Sequence, residues 1–454
     1  MKNKFLLTII AVILALAFPA CDDGSNSDNG GGGGGGGGSN THTHSYSATW
    51  SKNATQHWRE CSCGDKTDVA NHSGDTWSRN AAQHWKECMC GYQSELANHS
   101  DNPCAACDYF AGTPAPGADL TAKLSWLETN AESDTAYLVE VDDDMTIAPQ
   151  TLSYNGKTGI IIALKGASAD AGRAAGGMGT ERAITLTGNG TIFTIEAGVT
   201  LILMENITLS GNGTDNGVLI EVKENGKLIM KTGAKVTNGQ SGLWGGGVGV
   251  WGTFTMDGGE ISGNDGGSGH GGGVAVHDDG TFTMNGGIIK DNQSNFPTGG
   301  GGGGGGVLVN SGTFTMNGGV ISGNETDGRG GGVSNGGTFT MNGGEISGNQ
   351  ARYGGGVYAS GTFTMKGGEI SGNTSTGEGG GVIVSSNGTF IKTAEGGVIY
   401  GTGSPKANTA SQGQAVCMWY SAEINNGGYR NTTVTANERL TASNGSKGEG
   451  TWGE

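Results

Sequence analysis

A repeat of 24 to 32 residues dominates the second half of this 454-residue chain. Its most regular form reads GGGV, a few variable residues, and then GTFTMNGGEISGN. A period of this length is typical of solenoids, in which each copy buries its apolar face against the next copy. The phenylalanine of the motif recurs at Phe254, Phe282, Phe314, Phe339, Phe363 and Phe390.

Alternation of apolar and polar residues predicts three short strands in each repeat. In TFTM the phenylalanine and the methionine lie two apart and share one strand face, while the threonines take the other face. We therefore expect Phe254 and Met256 to point inward. Valine pairs such as Val274 with Val276 supply a second inward face. A third comes from the isoleucine seven residues after each phenylalanine up to Phe363, at Ile261, Ile289, Ile321, Ile346 and Ile370.

Glycine fills 93 positions, and such an excess indicates either disorder or a repeat with fixed places for glycine. The regular period favours the repeat. Because glycine in a strand costs roughly 0.5–1 kcal/mol, we expect the doublets at corners that need positive φ. Asparagines at equivalent strand ends predict a stacked ladder, formed by Asn264, Asn292, Asn324, Asn349 and Asn373.

These coils resemble the right-handed parallel β-helix of pectin-lyase-like proteins, and the GTFTMNGGEISGN unit resembles repeats of large spirochaete surface lipoproteins. Similar glycine-rich repeats occur in chlamydial polymorphic outer-membrane proteins and bacterial adhesins. The overt match covers residues 245–400, with a weaker one back to 136. The resemblance implies an all-β chain with a right-handed parallel β-helix over 136–400, closed by a cap and tail over 401–454.

The N-terminus is typical of an export signal. Lys2 and Lys4 precede an apolar run over 5–18 that is too short to span a membrane. The run ends before Cys21, and a cysteine after a small residue resembles a bacterial lipobox. We expect 1–21 to be a lipoprotein signal with lipid attached to Cys21, followed by a glycine-rich tether over 22–40. This places the protein in the cell envelope, at the outer membrane or cell surface. Ordinary cleavage after Ala20, which would give a secreted protein, stays open.

Residues 41–110 contain two copies of one unit, Trp50–Ser73 and Trp77–Ser100, each with HW, CxCG and ANHS. Two thiolates and two imidazoles per unit form a complete tetrahedral zinc set without an open position for catalysis. The sequence predicts structural zinc, while disulfides between units, which export permits, remain the alternative. The predicted ligands are His57, Cys61, Cys63, His72, His84, Cys88, Cys90 and His99, with Cys104 and Cys107 from a degenerate third unit.

Between this module and the repeats we expect a linker over 111–118 and a capping helix within 119–135. Leu120, Leu124 and Leu127 have helical spacing, and Asp119 stands at the N-cap position.

The net charge of -17 argues against nucleic acid as a partner, because phosphate binding needs a basic surface. An enzyme of the polysaccharide lyase or hydrolase class is one alternative, with candidates at His277, Asp278, Asp279, Asp327 and Arg329. Neighbouring repeats carry ordinary turn residues at these places, so we predict no catalytic residues. A purely structural envelope protein is a second alternative.

One position differs in chemistry from repeat to repeat although its surroundings do not. It stands immediately before each GGGV. Aromatic and arginine side chains are frequent anchors of interfaces. We predict a binding edge for a host or matrix protein or a glycan; the alternative is a corner that tolerates any residue. The binding edge consists of Trp244, His270, Arg329, Tyr353 and Glu378, with Gly303 at the same position.

Overall fold

The computed structural model describes residues 110–418 apart from 168–180, 214–216, 243–244, 268–270, 295–302 and 394–396. It also describes Tyr46 and the short segments 51–52, 56–60, 66–71, 77–79, 83–87, 93–98, 429–430 and 438–441. The chain divides into two units, Met1–Asp101 and Asn102–Glu454.

The first unit contains two small antiparallel sheets with the same design. Its strands are β1 (Ser51–Lys52), β2 (Gln56–Glu60), β3 (Lys66–Asn71), β4 (Trp77–Arg79), β5 (Gln83–Glu87) and β6 (Gln93–Asn98). In the first sheet His57 pairs with Lys52 and Ala70, and in the second His84 pairs with Arg79 and Ala97. The register shifts at the equivalent point in both sheets. The two sequence copies therefore fold as two copies of one three-stranded unit.

The second unit opens with a strand, one helix and irregular coils. Its first elements are β7 (Thr113–Pro114), α1 (Leu120–Asn130), β8 (Ala136–Val141), β9 (Met145–Ile147), β10 (Gln150–Leu152), β11 (Ile160–Gly166), β12 (Arg182–Leu186), β13 (Phe193–Ile195), β14 (Val199–Leu203), β15 (Ile207–Ser210), β16 (Ile220–Val222), β17 (Lys227–Met230) and β18 (Ala234–Thr237).

The regular repeats follow. Their strands are β19 (Val248–Val250), β20 (Thr253–Met256), β21 (Glu260–Ser262), β22 (Val274–Val276), β23 (Thr281–Met284), β24 (Ile288–Lys290), β25 (Gln293–Ser294), β26 (Val307–Val309), β27 (Thr313–Met316), β28 (Val320–Ser322), β29 (Glu325–Arg329), β30 (Val333–Asn335), β31 (Thr338–Met341), β32 (Glu345–Ser347), β33 (Gln350–Tyr353), β34 (Val357–Ala359), β35 (Thr362–Met365), β36 (Glu369–Ser371), β37 (Thr374–Ser375), β38 (Val382–Val384), β39 (Thr389–Lys392), β40 (Val398–Ile399), β41 (Val416–Met418), β42 (Tyr429–Arg430) and β43 (Glu438–Thr441).

Strands of successive coils stack in parallel and form a β-helix, as the sequence predicted. The Phe sheet runs from β7 and β8 through β11, β14, β17, β20, β23, β27, β31 and β35 to β39. The Ile sheet joins β9, β12, β15, β18, β21, β24, β28, β32, β36 and β40, and the Val sheet joins β10, β13, β16, β19, β22, β26, β30, β34, β38 and β41. A smaller edge sheet, which the sequence did not predict, joins β25, β29, β33 and β37.

The predicted cap is present, and the predicted linker is partly ordered. Asp119 accepts a hydrogen bond from the Ala122 amide at 2.8 Å, so it is the N-cap of α1. Leu120, Leu124 and Leu127 are buried in the core. Within the segment predicted as a linker, Thr113 and Pro114 form β7, which pairs with β8. The short strand β7 is therefore the last strand at this end of the Phe sheet.

Identical residues lie above one another in the core. The phenylalanine rings from Phe254 to Phe363 stack at centroid distances of 4.7–4.8 Å with interplanar angles of 5–8°. All are fully buried, as are the methionines two residues later up to Met365. Each burial stabilises the fold by about 1.5–3 kcal/mol, and stacked aromatic pairs add about 0.5–1.5 kcal/mol.

The asparagine ladder is present and longer than predicted. From Asn264 to Asn373 each side-chain Nδ2 donates to the Oδ1 of the next asparagine at 2.9 Å. The last acceptor is Asn408, which the motif did not identify because it follows a different local sequence, Lys406-Ala407. The same Oδ1 atoms also accept backbone N–H groups, at Asn264 from Gly239 and at Asn408 from Asn373.

The three glycines of GGGV lie where the backbone passes within contact distance of the backbone of the next coil. A Cβ on Gly331 would lie 2.6 Å from the carbonyl oxygen of Gln350, in an edge strand, and 2.5 Å from that of Gly355. The first glycine of the same triplet, Gly330, has φ of +72°. Glycine is therefore required for different reasons at neighbouring positions.

Candidate binding surfaces

The binding edge lies at the end of the edge-sheet strands: Arg329 and Tyr353 are the last residues of β29 and β33, directly before the three glycines. Gly303 bridges to Arg329, and Arg329 pairs with Tyr353 in the edge sheet. The Gly354 amide donates to the carbonyl oxygen of Glu378 at 3.1 Å, which extends the same row by one coil. The predicted alignment of these positions on successive coils is therefore correct from Gly303 to Glu378. Trp244 and His270 lie outside the described residues.

The two large side chains of this row rest on the outward face of the Val sheet. Arg329 lies with its guanidinium carbon 4.9 Å from the centroid of the Tyr358 ring, a cation–π distance. Tyr353 packs against the small apolar cluster of Tyr358, Ile383 and Cys417. Both Arg329 and Tyr353 remain half-buried rather than covered. They combine a packing role with an accessible surface.

Tyr358 and Cys417 also belong to this region, although the sequence did not predict it. Both stand at the middle of a Val-sheet strand and point outward, whereas their neighbours, Val357 with Ala359 and Val416 with Met418, belong to the core. Burial raises the pKa of the Cys417 thiol to about 12, and the Glu378 carboxylate adds to the effect. Cys417 is thus a buried, protonated thiol at neutral pH.

The residues considered for catalysis stand on two different parts of the coil. His277 follows a Val strand, is buried, and stacks on the Trp251 ring at 4.3 Å. Asp278 and Asp279 are exposed in the turn after it. Asp327 instead lies in β29 of the edge sheet, in the same strand as Arg329. No strand pairing or stacking brings the two sets together among the described residues.

The predicted zinc ligands fall mostly outside the described residues. These comprise Cys61, Cys63, His72, Cys88, Cys90, His99, Cys104 and Cys107. His57 is buried in the central strand β2, and His84 occupies the equivalent backbone position in β5. Within the part of the chain that the structure describes, no group of three or more His, Cys, Asp or Glu residues could hold a metal ion.

The proposed lipid attachment residue, Cys21, also lies outside the described residues. In the described part of the chain, no helix has both the length and the apolar character needed to cross a membrane.

Comparison with known proteins yields no match. No family model matches the chain, and neither the curated proteins nor the solved structures include a protein that matches it.

Proposed function

We propose that this chain is an exported, lipid-anchored envelope protein whose β-helix displays a binding surface and catalyses no reaction. The observation that carries the proposal is the contrast between core and edge. Core positions repeat phenylalanine, methionine and isoleucine from coil to coil. The binding edge, in register on the same coils, presents arginine, tyrosine and glutamate in succession. Packing does not require such variation, whereas recognition does.

Partner binding at the edge is tested most sharply at Arg329. Arg329→Met keeps an aliphatic stem against the Tyr358 ring and removes the charge and the donors. Lys290→Met, on the outward face of the Ile sheet, removes the same charge elsewhere. The purified full chain is applied to an array of matrix proteins and glycans, and affinity for any bound component is then measured for each variant.

We expect Arg329→Met to weaken binding at least about tenfold, as for a central interface arginine, and Lys290→Met to leave it unchanged. Equal binding by both variants and the wild type would remove the binding edge from the proposal. Cleavage of an arrayed glycan would instead favour the lyase or hydrolase alternative.

A lipid anchor at Cys21 would hold the β-helix at the membrane surface through the glycine-rich tether. The apolar export segment ends at Cys21 and continues into a glycine-rich tether. A fatty-acid probe fed to producing cells should label the wild type, and Cys21→Ala should abolish the label. Persistent label in the variant, or none in the wild type, would replace the anchored protein with a secreted one.

Structural zinc in 41–110 is the companion proposal. The equivalent strand positions of His57 and His84 support it, because a repeated site needs a repeated frame. Elemental analysis of the reduced, refolded full chain should give close to two zinc ions per molecule, and Cys88→Ser should remove one. A metal-free chain without free thiols in this module would establish the disulfide alternative.

A further inference from the structure

The outward face of the Phe sheet carries a regular array of threonines. Ten threonines occupy two columns on five successive strands, β20, β23, β27, β31 and β35. Every pair of neighbours in a column is directly in register. The side chains are half-buried or exposed. We call this array the threonine face; it consists of Thr253, Thr281, Thr313, Thr338 and Thr362 in one column and Thr255, Thr283, Thr315, Thr340 and Thr364 in the other.

The threonine face is flat and has two fixed repeats. The phenylalanine rings directly beneath it step by 4.7–4.8 Å from strand to strand and rotate by only 5–8°. Within a strand the two threonines are two residues apart, which corresponds to roughly 6.6–6.8 Å. Threonine is stiff at χ1, so hydroxyls and methyls recur on a nearly rectangular grid.

A third column continues the grid and is held by its own hydrogen bonds. Asn285 donates through Nδ2 to Asp257 at 2.7 Å. Asn317 donates to Asn285, and Asn342 to Asn317, both at 2.8 Å. These exposed amides follow the second threonine by two residues and repeat with the same coil step. They fix polar atoms at the border of the face before any ligand arrives.

Among the described residues, the cover on the outward face of the same sheet lies where that face is apolar. In the first coils Ala163, Ile202 and Met204 point outward and pack with Phe110. The threonine columns begin two strands beyond Ile202 and belong to none of the apolar clusters of the described residues. Within the part of the chain that the structure describes, the uncovered part of the sheet is thus the part that carries the threonines.

The chemistry of the face selects among ligands. None of the ten threonine positions carries a charge, although the chain has a net charge of -17. The third column is charged only at Asp257 and Lys366, at its two ends, so a charged ligand finds no counter-charge within the threonine columns. The absence of aromatic side chains from the array disfavours a single glycan chain, which usually stacks on rings. Association with a second threonine face would desolvate many hydroxyls without a fixed partner for each.

We propose that the threonine face binds the surface of ice crystals. Ice presents a rigid lattice of hydrogen-bonding oxygens, and its two principal lattice repeats are close to the two spacings of the face. Water molecules held at the hydroxyls and in the troughs between the methyls would already be arranged to join that lattice. The proposal concerns a different sheet from the binding edge and does not depend on it.

The test is partition of the purified full chain into ice grown slowly on a cold probe. The protein concentration in the ice is compared with that in the remaining liquid. We expect the wild type to be incorporated, and Thr315→Lys/Thr340→Lys to be at least tenfold depleted from the ice, as ordinary solutes are. Two long charged side chains on adjacent strands would hold an ice surface away from the grid.

The matched control is Ser322→Lys/Ser347→Lys, which places the same two lysines in register on the outward face of the Ile sheet in the same coils. It should partition as the wild type does. Circular dichroism verifies that each variant is folded. If the lysine pair unfolds the coils, Thr340→Tyr introduces comparable bulk on a strand-favouring residue and must show the same depletion.

Exclusion of the wild type from ice would overturn the proposal, as would equal incorporation of the threonine variant. Binding of the wild type to microcrystalline cellulose or chitin but not to ice, lost in the threonine variant, would reassign the face to a crystalline glycan. A dimer in sedimentation that the threonine variant loses, again without ice binding, would reassign it to self-association. Loss of partner binding in Arg329→Met affects none of these outcomes.

Discussion

At the scale of single residues, the inner asparagines show how repetition satisfies a buried polar side chain. Asn324 is fully buried. Its Oδ1 accepts from both the backbone N–H and the Nδ2 of Asn292, and its Nδ2 donates to Asn349 and to the carbonyl oxygen of Ile289. Each member completes the hydrogen bonds of its neighbours, so the stability of one coil depends on the next coil.

We expect Asn324→Ala to lower the free energy of unfolding by about 3 kcal/mol, because it leaves buried groups of Asn292 without an acceptor. The control is Asn317→Ala in the same coil, where the asparagine makes ladder contacts of similar length at an exposed position. Its effect should stay within about 0.5 kcal/mol. Urea denaturation followed by circular dichroism compares the two, and equal losses would show that burial does not decide the cost.

Cys417 should make the free energy of unfolding depend on pH in the alkaline range. Its pKa of about 12 in the folded chain exceeds that of an unfolded thiol, about 8.5. Because the protonated form is favoured by folding, its contribution is complete below the unfolded pKa and is lost as pH rises from there towards the folded value. The stability difference between wild type and Cys417→Ala should therefore narrow between pH 8.5 and pH 11. A constant difference in urea midpoint would contradict this.

At the scale of elements, the repeat predicts most of a coil and misses its fourth strand. Alternation predicted strands at TFTM, at EIS and at the valine pairs, each with one buried face. The burial of Phe314 and Ile321 agrees, whereas all three residues of the valine strand Val307–Val309 are buried. The edge strands could not be found this way. Gln293–Ser294 and Thr374–Ser375 are two residues long and have no alternation, and they pair only because stacking brings them together.

The candidate site has the same mixture of predicted and unpredicted features. Counting to the residue before GGGV placed Arg329, Tyr353 and Glu378 in one row, because the repeat fixes register. It could not show that Arg329 and Tyr353 rest on Tyr358. That contact depends on the edge strand folding back over the Val sheet.

Two glycines of one repeat distinguish a glycine required for lack of space from a glycine that only adopts positive φ. Gly331→Ala should destabilise the chain by about 1–3 kcal/mol, since its Cβ would collide with the Gln350 and Gly355 carbonyls. Gly348 has φ of +63°, and a Cβ there would come no closer than 4.0 Å to its nearest neighbour, the Gly323 amide nitrogen. Asn238 and Asp291 fill the equivalent corner in other coils at φ of 57° and 53°. Gly348→Asn should therefore be tolerated within about 0.5 kcal/mol; thermal melting that ranks them in the opposite order would refute the assignment.

At the scale of the whole β-helix, the last strands of each sheet determine whether further strands, from this chain or another, can be added to the stack of coils. Open parallel edges are templates for another chain. At the C-terminal end β43 pairs antiparallel with β39, and β42 pairs antiparallel with β41. The inward methionine column also ends in a charged residue, Lys392, which is buried at 2% exposure. Reversal of strand direction and an inward charge both interrupt the repeat.

Removal of residues 419–454 tests the role of these closing strands. The truncation takes away β42 and β43 and exposes the hydrogen-bonding edges of β39 and β41, so we expect concentration-dependent oligomers in light scattering where the full chain gives none. The control is the same truncation with Thr389→Lys and Ile391→Lys, two outward positions of β39 that flank Phe390. Charges on an edge strand oppose pairing with another chain, and this variant should contain fewer oligomers at every concentration. A truncated chain that stays monomeric would show instead that Lys392 and the irregular last coil are enough to end the stack.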